Sequence, residues 1–330
     1  MRNTDTLSTS RLRVGIIGTG SMGQNHVRVY STLKSVDLVG VYDVDDDTSQ
    51  KMADQYGCVS FKNLVEMVGK VDAVSICSPS SLHAEHGLFF LKNKINCLVE
   101  KPLATTEEDC QSLITAAEKS GALLMVGHIE RFNPAVQLLE KIIKSGKHRI
   151  YGIDANRMSM VSSRIKDVDV VADLMVHDLD IVLSLMDRAP DKIVANGISA
   201  APGKKPDYVN TLLSFGEGCV ANITASRVTH NRIRDLSVSS DSGYITIDYM
   251  NQDLHIYRQD ATSSLSTDDI FPLDISLERA MIRRVEPLNA ELQNFVQASF
   301  GNEEPKVTGA DGLAALKLVQ QVQSLVGGGE

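Results

Sequence analysis

The feature that most limits what this chain can fold into is Gly18-Thr19-Gly20-Ser21-Met22-Gly23, directly after the apolar run Val14–Ile17 and at the start of an amphipathic stretch. Glycines at these spacings suit a strand that turns sharply into a helix. The first permits the turn, the second lets a pyrophosphate approach the backbone, and the third lets helix and sheet pack closely. A helix opening here directs unpaired N–H groups at the phosphates. The pattern alone is a weak signal, and its place between a predicted strand and a predicted helix gives it weight. Asp43 supplies a second point, at the end of the next apolar run and 20 residues beyond Gly23. A carboxylate there accepts hydrogen bonds from the adenosine ribose and repels a 2′-phosphate. Asp45, Asp46 and Asp47 follow with no Arg or Lys beside them, so the expected cofactor is NAD rather than NADP.

The pattern around this motif is repetitive in kind. Apolar runs at Arg13–Ile17, Asp37–Tyr42, Asp72–Cys77, Asn96–Glu100 and Ala122–Gly127 alternate with helical candidates near 22–33, 45–56, 82–93 and 105–120. Strands alternating with helices predict right-handed crossovers and a doubly wound parallel sheet covered on both faces. After about residue 130 the pattern changes. Asn133 and Pro134 predict a capped helix to Ser145, followed by a strand-like run Ile150–Met160 and a helix Val168–Met186. Six β-rich segments come next, at Lys192–Ser199, Tyr208–Phe215, Cys219–Val228, Arg232–Ser239, Tyr244–Tyr249 and Leu254–Arg258. Their short polar or Gly-containing connections favour a mostly antiparallel sheet. Helices near 287–300 and 310–326 close the chain. The expected division is therefore a disordered leader over 1–11, a first domain over 12–130 and a second, α+β domain over 131–330, with the final Gly-Gly-Gly-Glu also disordered.

Composition excludes several roles. The net charge is −9 with no basic block, which argues against nucleic acid as a partner. No apolar run is long enough for a membrane span, and residues 1–10 lack an export signal's apolar core. The five cysteines (Cys58, Cys77, Cys97, Cys110 and Cys219) stand singly, which predicts reduced thiols and a cytoplasmic location.

Two further groups bear on chemistry. Glu100-Lys101-Pro102 ends an apolar run, and ligands in such sheets bind at the carboxyl ends of strands. A lysine there can stabilise a developing alkoxide or carry a proton, although by itself it reads more readily as a surface residue. Asp173 and His177 stand four apart in an apolar helical stretch, on one face of the helix. A carboxylate beside an imidazole orients it and raises its pKa, which suits a general base. The same spacing also fits a metal or an ordinary helical pair. No third or fourth ligand cluster is evident, so no metal is expected.

Together these residues resemble the glucose-fructose oxidoreductase/inositol dehydrogenase family, over about residues 12–325. The shared features are Gly18–Gly23 with Asp43, the loop Ser78-Pro79-Ser80-Ser81-Leu82-His83, Glu100-Lys101-Pro102 and Asp173-x-x-x-His177. Ser80 replaces the family's usual Asn, and Ala172 stands where glycine is common. The resemblance implies a Rossmann domain, then a domain whose open sheet binds substrate and forms a homodimer or homotetramer. It implies NAD held by Gly18, Thr19, Gly20, Ser21, Met22, Gly23, Asp43, Ser78, Pro79, Ser80, His83, Glu100 and Lys101. It also implies His177 as general base, oriented by Asp173, with Lys101 polarising the substrate hydroxyl. Within the family, residues 127–134 and 164–180 look like the branch that oxidises C3 of UDP-N-acetylglucosamine on the way to diaminosugar lipid A. On that reading Arg157, Arg164 and Lys166 bind the diphosphate and His128 faces the sugar, alongside Lys101, Asp173 and His177. Ordinary solvation of the three cations, or a strand-end hydrogen bond for His128, fits the sequence equally well. A dehydrogenase of a free sugar, inositol or sugar acid keeps the same chemistry, and a non-catalytic nucleotide sensor keeps only the fold.

Overall fold

A computed structural model describes residues 11–146, 148–160, 169–200, 205–216, 218–259 and 275–327. Outside them lie residues 1–10 of the predicted leader, 328–330 of the terminal Gly-Gly-Gly-Glu, and the candidate cations Arg164 and Lys166. The first unit holds the chain up to Ile129 and again Glu286–Leu316. Its strands are β1 (Leu12–Ile17), β2 (Val36–Tyr42), β3 (Val59–Ser60), β4 (Ala73–Ile76), β5 (Asn96–Glu100) and β6 (Leu124–Gly127). They form one parallel sheet in the order β3-β2-β1-β4-β5-β6. Every residue of β4 and β6 is buried, as a parallel sheet covered on both faces requires. The two-residue β3 was not foreseen, because so short a strand has no period to read.

Helices α1 (Ser21–Tyr30), α2 (Asp46–Tyr56), α3 (His83–Lys92) and α4 (Glu107–Ser120) supply the crossovers. Their limits follow from local chemistry. Asp45 caps α2 by accepting from the N–H groups of Asp47 and Thr48, and Thr106 caps α4 through Asp109 N–H. Both helices stop at a glycine in the left-handed region, Gly57 and Gly121, where a side chain would be strained. The strand order reverses between β1 and β4, the point at which such sheets open a crevice for ligands.

The second unit comprises Glu130–Val285 and the chain from Lys317 onward. Helix α5 (Pro134–Ser145) is capped by the Asn133 side chain at Ala135 N–H. Strand β7 (Ile150–Met158) follows, then α6 (Val176–Met186), β8 (Lys192–Ile198), β9 (Tyr208–Phe215), β10 (Cys219–Ser226), β11 (Ile233–Ser240), β12 (Gly243–Asp248), β13 (Asp253–Gln259) and β14 (Ile275–Arg279). The sheet runs β14-β13-β12-β11-β7-β10-β9-β8. It is antiparallel except where β7 pairs with β10. One face carries the core, including Ile153, Ala155, Leu213, Ile223 and Val238 packed with Leu179 and Val182 of α6. The other carries a polar ladder, in which Asn210 donates to Asn222 and Thr224, and Asn222 to Asp154. The edge strand β14 was not anticipated from sequence. The predicted helix 168–186 begins instead with a π turn, Val171–Met175, and Asp169 accepts from Val171 and Ala172 N–H at its start.

One boundary is corrected. The linear reading placed everything after 130 in the second domain, yet Glu286–Leu316 belongs to the first unit. The cause is the apolar face of α7 (Pro287–Ser299), where Leu288, Leu292, Phe295 and Val296 are buried, and α7 packs on α1. Thr308 also pairs with Met125 of β6. The first residues of α8 (Gly309–Gly327) approach so closely that a Cβ on Gly312 would lie 2.9 Å from Val126. We expect Phe295→Ala to cost about 3–5 kcal/mol by urea denaturation, since its ring is fully buried in the first unit. A surface-like loss would show that this segment packs elsewhere.

Candidate functional site

The turn from β1 into α1 is shaped by glycine at two points and opened by it at a third. Gly18 has φ +89°, and a Cβ there would lie 2.7 Å from Cys77 O and Ser78 N. A Cβ on Gly23 would collide with Gly18 O. Gly20 has nothing within 4 Å of its Cβ position, the clear approach that a pyrophosphate needs. No side chain caps α1 at Gly20, and no acid stands in its first turn, which begins with Ser21 and Met22. Thr19 is buried, and its N–H and Oγ1 donate to Asp43 Oδ2 at 2.6 and 2.9 Å. Asp43 Oδ1 accepts from Asp45 N–H at 3.0 Å. A carboxylate has about four acceptor positions, so Asp43 is fixed in place and keeps capacity for a ribose hydroxyl. These residues fit a dinucleotide.

The loop after β4 corrects part of the expected cofactor set. Pro79 and Ser80 lie at its tip, exposed and half-buried. Ser78 Oγ and His86 Nδ1 are 3.0 Å apart, and burial lowers the His86 pKa. His83 is buried, with Nδ1 2.8 Å from Pro102 O and Nε2 2.8 Å from Ser78 O. Both ring nitrogens face protein carbonyls, so His83 ties the loop to the Lys101–Pro102 corner rather than reaching a cofactor. Glu100 also points inward. Its Oε1 accepts from His26 Nε2 at 3.0 Å and its Oε2 from the Lys101 N–H at 3.2 Å. Burial pushes this carboxyl up, but the pull of His26 and Lys101 outweighs it and holds Glu100 below the ordinary value. Lys101 is half-buried just past β5, and His128 is buried just past β6.

In the second unit, Asp173 and His177 are half-buried on the π turn and on α6. Asp173 forms an ion pair with Arg227 at 3.5 Å. Sequence reasoning missed Arg227, because no spacing links an arginine just past β10 to a helix so far away in the chain.

Arg157 is the main correction. It is 2% exposed, and its Nε and Nη2 donate to Asp178 at 2.7 and 3.0 Å while Nη1 donates to Glu130 at 2.8 Å. Its guanidinium lies 5.0 Å from the centre of the Tyr249 ring. Burial works against the charge, and Asp178 and Glu130 more than offset it. Arg157 is thus a buried ion-pair partner, with no face left for a diphosphate. Asp180 is buried beside Arg131 at 3.6 Å. All five cysteines are free, with Cys58 and Cys77 half-buried and the others buried. Burial raises every thiol pKa, that of Cys110 to about 11, which leaves them unreactive.

A parallel sheet with a glycine turn at its switch point and an acid just past β2 defines a dinucleotide-binding Rossmann domain. Comparison with known proteins gives the same class. Residues 12–128 match an oxidoreductase family with an NAD-binding Rossmann fold, and residues 154–246 match the GFO/IDH/MocA C-terminal domain. The UDP-N-acetylglucosamine 3-dehydrogenase of Acidithiobacillus ferrooxidans is 30% identical over 96% of this chain and 97% of its own. Its solved structure has a TM-score of 0.87 at 30% identity, with 96% and 97% of the two chains covered. An inositol 2-dehydrogenase of Rhizobium meliloti is 27% identical over 93% of this chain and 94% of its own. The chain belongs to the GFO/IDH/MocA family and is an NAD-dependent dehydrogenase. Among the described residues, no helix is long and apolar enough to cross a membrane.

Two substitutions separate binding from stability. Asp43→Ala removes a charged acceptor, so NAD affinity measured by calorimetry should fall by about 1.5–3 kcal/mol. Arg157→Ala leaves buried Asp178 and half-buried Glu130 without their cation, so unfolding should become easier by about 3–5 kcal/mol.

Proposed function

We propose that the protein oxidises the C3 hydroxyl of UDP-N-acetylglucosamine with NAD, giving the 3-keto sugar nucleotide for diaminosugar (lipid A type) biosynthesis. The full-length likeness to an enzyme of that activity carries the reading. Lys101, Asp173 and His177, all at the family's motif positions, support it. Bound NAD supplies the hydride acceptor. His177 takes the hydroxyl proton as general base, and Asp173, itself tethered by Arg227, sets the orientation of its imidazole. Lys101 stabilises the negative charge that develops on the sugar oxygen. The diphosphate role expected of Arg157 is withdrawn, and Arg164 and Lys166 retain it. The likeness to an inositol 2-dehydrogenase supports a second reading, oxidation of a free polyol by the same residues.

We also infer a cytoplasmic homo-oligomer. Exposed apolar residues on the outer face of the eight-stranded sheet support self-association. Val194 stands opposite Leu212, and Ile198 opposite Tyr208. Light scattering measures the mass.

NADH absorbance, followed with each candidate substrate and with an aminotransferase to remove the ketone, tests the activity. Turnover of the sugar nucleotide is expected; turnover of a free polyol alone favours the second reading, and turnover of no alcohol at all overturns both. Lys101→Met and His177→Ala should each lower kcat by about 10²–10⁴-fold, and His177→Ala should keep NAD affinity within about twofold of wild type.

A further inference from the structure

His26, Glu100 and Glu291 converge inside the first unit, from α1, the end of β5 and α7 respectively. One nitrogen or oxygen from each lies within 4.8 Å of the others, and all three residues are buried. Glu291 is the anomaly. It occupies the same buried face of α7 as Leu288, Leu292 and Phe295, where an amphipathic helix ordinarily places an apolar residue. Two carboxyl groups this close in an interior cannot both ionise, and the one with more donors keeps the charge. Glu100 has two donors, His26 Nε2 and the Lys101 N–H. Neither oxygen of Glu291 has a hydrogen-bond partner among the described residues.

The surroundings point the same way. Tyr30, on α1, directs its hydroxyl to Ser75 at 2.9 Å, and Cys77 follows β4 with a thiol whose pKa burial raises. Neither brings a positive charge to Glu291. The Lys101 cation acts on Glu100, and Arg28 is engaged by Glu286 on the exposed side of the same two helices. Burial, with the Glu100 charge added, pushes the Glu291 carboxyl well above its ordinary value.

We propose that Glu291 is a positioning residue that works as a neutral carboxylic acid. It closes the interior side of the His26–Glu100 pair, so that one carboxylate, on Glu100, holds the Lys101 N–H and fixes the Glu100-Lys101-Pro102 corner. Gly127 makes room for this, since a Cβ there would lie 3.1 Å from Glu100 Cδ. The proposal rests on the role given to Lys101 above. A divalent cation at the same three residues would require both carboxyls ionised, so metal content is part of the test.

The folded protein keeps the Glu291 proton to higher pH than the unfolded chain does. Stability is therefore lost as pH rises from the unfolded value, about 4.3, through the folded one. Glu291→Gln keeps a neutral group of the same shape and does not titrate. The Tm of this variant minus that of wild type should grow by at least about 3 °C between pH 5 and 8. A gap that stays flat with pH overturns the proposal. Glu291→Ala should lower kcat by about tenfold or more with the KM for NAD little changed, and Glu291→Gln should recover it to within about threefold of wild type. Equal losses in the two variants also overturn the proposal. If Glu291→Ala does not fold, the infrared band of a protonated carboxyl, present in wild type near neutral pH and missing in Glu291→Gln, carries the test; its absence from wild type overturns the idea. So does a stoichiometric metal in purified wild type whose removal lowers Tm. Full turnover by Lys101→Met would sink the role of Lys101, and positioning with it, whereas the pH-dependent Tm gap would still place the proton on Glu291.

Discussion

Along the carboxyl edge of the parallel sheet, contacts run in a circuit that begins at the turn into α1 and ends on α1 itself. Gly18 presses against Cys77 and Ser78, Ser78 O and Pro102 O lie at the two nitrogens of His83, and Glu100 joins the Lys101 backbone to His26. The first steps join strand-end loops that would otherwise be held only at their strands, and the last ties the end of β5 to α1. The circuit costs conformational entropy in three loops at once, and it returns one rigid edge on which Asp43, the glycine turn and Lys101 keep fixed positions. A binding surface gains from such preorganisation, because less ordering remains to be done when the cofactor arrives.

The second unit fixes its functional helix by other means. Asp178 follows His177 directly, and its pairing with Arg157 of β7 binds α6 to the sheet beneath it. A buried ion pair of this kind contributes little net stability, because desolvation offsets most of the attraction. Its value is geometric: two parallel hydrogen bonds to one guanidinium allow the helix little rotation. Asp169, which accepts from the Val171 and Ala172 N–H groups and from Gln323 at 2.7 Å, restrains the stretch that leads into α6. Between them lies the π turn containing Asp173, an irregularity that helices often carry at functional positions.

Much of the fold was legible because its signals are local. The strand Asn96–Glu100 and the helix Pro134–Ser145 match their predicted limits, since an apolar run and an Asn-Pro cap are read within a few residues. The glycine turn and Asp43 were legible for the same reason, each needing a stated backbone geometry at a fixed distance. The exceptions were β3 and β14, whose pairing is decided by neighbours in the sheet, and the π turn, where a strongly helical stretch hides a change in hydrogen bonding.

Side-chain roles divided along the same line. The sequence by itself determined the doubly wound sheet, the preference for NAD and the shortlist of ionisable residues, because period, turn chemistry and charge type are properties of short segments. Only the tertiary structure decided which of those residues face inward. It turned Arg157, His83 and Glu100 from presumed ligand contacts into interior ties, brought Glu286–Leu316 back to the first unit, and set Arg227 beside Asp173. It also placed Glu291 against Glu100. The reason is physical: whether a charge meets solvent, a ligand or another charge depends on partners remote in sequence, and burial makes that choice costly to reverse.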